Sequence, residues 1–277
     1  MITHTEIHPA DELGNVRLQI AALRLKERRL TTTIVADREL RVGQDSYAEV
    51  YERKTATGVE TVVLSRLLPT LEEFLMLLKG DLLIIHTETT GLFPARGDCM
   101  LSLGALQAHY GWYTLIGVLH GSIRDERRLN IGEEYLRHFS GEGRASSPEA
   151  FKVHGITDEW AASKAPFSVR ADEVMELLCP EEGERPVLCG HNIPFDIAFI
   201  NAELGRCGYS TLDNQTVDTR LISKVLWPTE KGSLDALCER LGVDRGDRDQ
   251  RQDALHDCHL VAKCIPGLVA EIEKRLA

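Results

Sequence analysis

The sequence predicts an α/β fold, a mixed sheet flanked by helices, preceded by an N-terminal helix and hairpin region. Three observations carry this. Apolar strand-like runs follow one another after Gly80, and helical and strand-like segments alternate from Pro166 onward. Acidic residues stand at one strand end and at two helix starts, positions that can meet at one edge of a sheet.

Residues 11–30 carry Leu13, Val16, Ile20, Leu23 and Leu30 at alternating three- and four-residue steps, the period of a helix face. Glu27 interrupts that seam, and a helix packing on its own domain is favoured over a dimer seam. SYAEVYE and VETVVLS, joined by KTATG, form a hairpin. Thr70 and Glu73 make a T-x-x-E capping box that opens LEEFLMLLK, and Gly80 stops that helix. The chain therefore divides into residues 1–80, a helix and hairpin region, and residues 81–277, the main domain. In the latter, LLIIHT, CMLSLGALQA and WYTLIGVL read as three sequential strands. Residues 121–150 are polar and glycine-punctuated, with a short helix expected near Glu133 to Phe139. RADEVMELL is helical, PVLCGHN is a strand running into a turn, and FDIAFINAEL is a helix whose first turn follows Pro194. VDTRLISKVL, SLDALCERLG and ALHDCHLVAKCI complete the set as helices.

Composition narrows the function classes. A chain of 277 residues can bury a large core and hold one large unit plus a small one. No apolar run approaches the ~18–20 residues of a membrane span, so a membrane partner is not expected. The opening MITHTEIHPADEL lacks the basic-then-apolar pattern of a secretory signal. Seven cysteines without a C-x-x-C pair favour reduced thiols in a cytoplasm over a disulfide framework or zinc knuckle. The net charge of −11 argues against a broad basic face for duplex DNA. A local cleft in which metal ions supply the positive charge stays open.

Three segments point to such a cleft: HTETTGL, GHNIPFDIAFINAEL and QDALHDCHLVAKC. Their carboxylates, Glu88, Asp196 and Asp257, are the oxygen ligands that hard divalent cations want. Two such ions about 3.5–4 Å apart can clamp the attacking and leaving oxygens of a phosphodiester. Each acid has a bland reading too, since Asp196 can cap its helix and His86 can be a core histidine. Those readings do not explain the ordered placement of all three segments.

Across roughly residues 82–270 the chain resembles the DnaQ-like 3′–5′ exonucleases of the DEDDh type, which include proofreading subunits of bacterial replicases. The likeness rests on these segments together with FKVHGITDE, TVDTRLISKVLWP and SLDALCERLGV, all in family order. It implies a ribonuclease-H-like fold with a central five-stranded mixed sheet. It also implies removal of nucleotides from single-stranded 3′ ends with Mg2+ or Mn2+, and it leaves a polymerase or other protein as a partner for residues 1–80. Carried over by position, the family's four acids, which bind metal and drive catalysis, fall on His86, Glu88, Asp196 and Asp257. Its catalytic histidine falls on Gln252. Thr89, Thr90, Gly91, Leu92, His154, Asn192 and Phe195 correspond to the substrate cleft. For His154 and Asn192 a turn-forming role weighs equally with a functional one.

Two of the five catalytic positions depart from the family. An imidazole nitrogen offers one lone pair to one ion, so His86 cannot bridge two metals as an aspartate does, and it favours borderline metals over magnesium. Gln252 can orient water but not deprotonate it, and loss of a positioned base costs about 10²–10⁴-fold. Catalysis is therefore expected to be weak or lost. A rearranged Zn2+ or Mn2+ centre from His86, Glu88, Asp257 and either His256 or His259 stands against the reading of those last two as packing or surface residues. The rival to an impaired enzyme is a non-catalytic module that binds nucleic acid or a partner protein.

Overall fold

A computed structural model describes residues 9–37, 41–43, 46–116, 123–181, 183–246 and 253–277. Five strands form the central sheet, in the order Ile123–His138 (β5), Met100–Ile116 (β4), Asp81–Thr89 (β3), Val187–Gly190 (β6) and Thr216–Asp218 (β7). β4 runs antiparallel to both β3 and β5. β6 and β7 extend the other side in parallel. This is the expected mixed five-stranded sheet.

β3 lies at its centre and is apolar without alternation because both faces are covered. Leu82 and Ile84 point into one cluster with residues of α2 (Leu71–Leu78), α7 (Thr219–Leu226), α8 (Leu234–Leu241) and α9 (Ala254–Leu276). Leu83 and Ile85 point into the other, with residues of α5 (Ala171–Leu178) and α6 (Ile193–Arg206). Burying one such Leu or Ile contributes about 1.5–3 kcal/mol, so this strand is the most firmly held element and a rigid base for whatever its end carries. The capping box of α2 forms as the sequence indicates. The Thr70 hydroxyl accepts from the Glu73 N–H at 3.2 Å, and the Glu73 carboxylate accepts from the Thr70 N–H at 2.7 Å.

Three expectations need correction. WYTLI is not a third strand but the continuation of β4, which runs through Gly111 to Ile116. The rest of that expected strand lies outside the described residues. The third strand is β5, formed where polar sequence and a short helix at Glu133–Phe139 were expected. β5 is an edge strand in which no residue from Leu129 to His138 is fully buried and Ile131 to Glu134 are exposed, so it carries little apolar signal. VDTRLISKVL is not all helix, because Val217 and Asp218 pair with β6 before α7 begins.

The N-terminal region starts with α1 (Pro9–Ala36) and continues with the hairpin β1 (Ser46–Thr55) and β2 (Gly58–Leu67). α1 does not pack on its own domain as expected, since every residue from Leu13 to Leu30 is exposed. The hairpin does touch the main body. Val42 and Tyr47 pack on the α9-side cluster, and Glu52 accepts from Arg96 in the loop after β3, with the guanidinium Nε at 2.8 Å. Among the described residues no helix is long and apolar enough to cross a membrane.

Candidate active site

The end of β3, the start of α6 and the start of α9 converge. The strand alternation puts His86 and Glu88 on the face covered by α9, and Thr87 on the α6 face. α9 can come this close because Gly104 lies opposite His86 on β4. A Cβ there would stand 2.5 Å from the Ala254 carbonyl carbon. α9 is capped at its N-terminus by Asp253, whose carboxylate accepts from the His256 N–H at 2.8 Å. Asp257 is thereby carried in the first turn toward the strand end.

His86 sits among the three carboxylates. Its Nδ1 is 3.3 Å from Asp196 Oδ1, and its Nε2 is 3.7 Å from Glu88 Oε1 and 3.6 Å from Asp257 Oδ2. The acids are nearly inaccessible, while the imidazole side chain is 26% exposed. Both ring nitrogens therefore face carboxylate oxygens, an arrangement suited to the imidazolium, in which both nitrogens carry hydrogen. Burial alone would depress the ring's pKa. The hydrogen bond to Asp196 and the charges of Asp196, Glu88 and Asp257 outweigh it and raise the pKa to about 10. Asp196 is further fixed from the strand, accepting from the Thr87 N–H at 2.8 Å and the Thr87 hydroxyl at 2.9 Å.

The four residues expected to bind metal and catalyse thus come together. Gln252 lies outside the described residues. His256 and His259 do not join them: His256 Nε2 is 3.1 Å from the Arg245 carbonyl, and His259 Nε2 is 3.0 Å from Glu134 on β5. The alternative centre that needs one of them is not formed.

The expected cleft residues fall into two groups. Thr89 and Thr90 are buried and spend their hydroxyls locally. Thr89 donates to the Gly91 carbonyl at 2.6 Å, and Thr90 accepts from the Cys99 N–H at 2.9 Å. Gly91 leaves room for the Asp98 carboxylate, which would stand 2.3 Å from an added Cβ. Its neighbour Leu92 is exposed. His154 accepts at Nδ1 from the Ile156 N–H at 2.9 Å, and burial lowers its pKa, so the ring is neutral. It is tied to the strand end, because its ring neighbours the Thr89 backbone and the Ser147 N–H donates to the Thr90 carbonyl at 2.7 Å. Asn192 adopts a left-handed conformation (φ 73°), and Phe195 is half-buried against Phe199.

Against this geometry, the family model described as Exonuclease (RNase_T) matches residues 83–265. The chain belongs to that exonuclease family. The DNA polymerase III subunit epsilon of Rickettsia conorii is 32% identical over 186 residues, covering 65% of this chain and 70% of that one. The subunit of the same name from Escherichia coli is 29% identical over 185 residues, covering 65% and 68%. Among solved structures, the nuclease domain of 3'hExo, a DEDDh family member bound to rAMP, superposes with a TM-score of 0.50 at 14% identity. It covers 71% of this chain and 93% of that one. A 3'-exonuclease recognising the histone mRNA stem-loop gives 0.51 at 14%, covering 69% and 64%. Both show the shared ribonuclease-H-like fold.

Membership of this exonuclease family implies divalent cations, and the donor set here does not fit an all-oxygen site for them. Where the site needs oxygen donors around open space, an imidazole stands between the carboxylates with a nitrogen toward each side. Among the described residues no group of three or more His, Cys, Asp or Glu side chains is arranged to hold a metal ion.

Two positioning residues escaped the sequence reading. Thr87 fixes Asp196, and Asp218 fixes the Asn192 turn by accepting from the N–H groups of Asn192 and Arg220, each at 2.8 Å. Burial, opposed by those backbone hydrogen bonds, pushes the Asp218 pKa up to about 6. Neither contact has a local sequence signal, since the partners lie 109 and 26 residues apart.

Proposed function

We propose that this exonuclease-family chain engages the 3′ ends of single-stranded nucleic acid and that its phosphodiester hydrolysis is weak or lost. The observation that carries the reading is the position of His86, an imidazole within 3.3–3.7 Å of three carboxylates. A cation built into the chain offsets one of the three negative charges and occupies the space between the acids, so their pull on a bound ion is weakened. Gln252, where the family has its base, acts in the same direction by offering no basic group near neutral pH. The cleft walls remain, with Leu92 exposed beside the strand end and His154 and Asn192 held in formed turns. In this reading Leu92 and Phe195 contact the terminal bases, and the strand end no longer activates water. Residues 1–80 take no part in the chemistry and serve association.

A labelled single strand with a free 3′ end, incubated with Mg2+, Mn2+ or Zn2+, tests the reading. The expected result is binding with little or no shortening. His86→Asp should introduce weak trimming, the double change with Gln252→His should give clear 3′-to-5′ shortening, and Gln252→His alone should do almost nothing. Brisk digestion by the unmodified protein would contradict the loss of catalysis. Absence of binding to any 3′ end would contradict nucleic acid as the ligand.

A further inference from the structure

We propose that α1 pairs in parallel with α1 of a second copy of this chain, forming a short two-stranded coiled coil. This goes beyond the cleft and does not depend on how the cleft is read. α1 is a 28-residue helix, and Leu13, Val16, Ile20, Leu23 and Leu30 on it are all exposed. An isolated helix that leaves so many apolar side chains in water gains little from propensity alone and is stabilised by covering its apolar face.

The pattern of side chains specifies what covers it. Leu13, Val16, Ile20, Leu23, Glu27, Leu30 and Ile34 follow one another at steps of three and four. In heptad terms Leu13, Ile20, Glu27 and Ile34 occupy a positions, and Val16, Leu23 and Leu30 occupy d positions. Ile20 and Ile34 at a with Leu23 and Leu30 at d follow the pattern that favours two parallel strands, while Leu13 and Val16 in the first heptad reverse it. The flanking charges agree. Parallel pairing sets Gln19 beside Arg24 and Lys26 beside Thr31 of the second copy, with no like charges meeting at these g and e positions, whereas antiparallel pairing would set Arg17 against Arg24. The single polar a residue, Glu27, faces Glu27 of the second copy, a like-charge contact that a basic neighbour offsets. In a parallel pair an a side chain lies beside the g residue that precedes it on the facing helix, so Glu27 meets Lys26 of the second copy. Thus the interruption of the seam becomes a charge-matched layer that fixes register. Leu18 and Leu25, also exposed, fall at f positions on the opposite side of the helix and take no part.

The experiment is sedimentation equilibrium of the full chain over a concentration series, with circular dichroism to confirm that each variant keeps its folded body. The unmodified protein should move from the mass of one chain toward twice that mass. Leu23→Arg or Leu30→Glu should raise the concentration at half-dimer by at least about tenfold, roughly 1.4 kcal/mol. Leu18→Glu with Leu25→Glu should leave it unchanged. Lys26→Glu should weaken pairing by setting acid against acid, and adding Glu27→Lys should restore it. A protein that stays monomeric throughout, or one that binds nucleic acid or vesicles through α1 without pairing, would overturn the proposal. So would a dimer indifferent to Leu23→Arg or Leu30→Glu, or one for which the Lys26/Glu27 exchange gives no recovery.

Discussion

At the end of β3, His86 meets Glu88, Asp196 and Asp257, three side chains brought from one strand and two helices of the same chain. Along α1, every residue from Leu13 to Leu30 is exposed among the described residues. Both regions carry patterned sequence, ordered motifs in one and a three-and-four spacing in the other, so pattern alone does not say where its complement lies. In the first, the complement is internal, and the acids that a metal pair would draw together are held by an imidazole. In the second, the complement we propose is a second copy of the chain.

The two regions differ most at their glycines. A side chain at Gly104 would collide with the backbone of Ala254 and Leu255, at 2.5–2.7 Å, and backbone cannot swing aside. Gly104→Val should therefore cost about 3 kcal/mol in urea unfolding, by forcing α9 away from β4. Gly14 in α1 has nothing within 4 Å of an added Cβ. Gly14→Ala should raise helicity and, by helix propensity, stabilise by roughly 0.5–1 kcal/mol. Equal effects at the two positions would mean that α1 is packed after all.

The next effect is electrostatic. His86→Ala leaves three inaccessible acids without their cation and should cost about 2 kcal/mol at neutral pH, less than the ~3–5 kcal/mol of a fully buried pair because the ring is partly solvated. Its pH dependence has a definite sign. The folded pKa of about 10 lies above the ordinary histidine value of 6.5. The stabilisation from His86 is then complete below about pH 6.5 and is lost as pH rises through about 10. Facing it are only acids, namely Asp196, Glu88 and Asp257. The stability difference between the unmodified protein and His86→Ala, measured by thermal unfolding across that range, should shrink as pH rises. A difference that grows with pH would contradict the internal cation.

Smaller still is the contribution of Thr87. Thr87→Val removes the hydroxyl that donates to Asp196 and keeps the backbone donor, so a loss of about 1 kcal/mol in urea unfolding is expected. Thr87→Ser should restore most of it. An unchanged stability for both would show that the backbone N–H alone holds Asp196.

Much of this was legible in the sequence. β3, the capping box at Thr70, the α/β alternation and the three motif acids are read from local pattern, because burial on both faces, a cap and a strand end each leave a local trace. β5 was not, since an edge strand with arginine and glutamate along it carries no apolar alternation, and Gly111 in β4 reads as a turn although its backbone stays paired with Arg128. The replacement at position 86 was visible as a letter. That its ring would stand among all three acids was not, because Asp196 and Asp257 reach it across more than a hundred residues of chain. The spacing along α1 was also visible, but that none of the described residues buries Leu13 to Leu30 emerges only in three dimensions.

The most direct measurement of the central claim is calorimetric titration of Mg2+ and Mn2+ into metal-stripped protein, with and without His86→Asp. With His86 in place neither ion should bind tightly at two sites. His86→Asp exchanges the internal cation for a fourth carboxylate, so binding should appear, strongest for the ion that best accepts an all-oxygen site. Tight two-site binding by the protein with His86 intact would contradict the account.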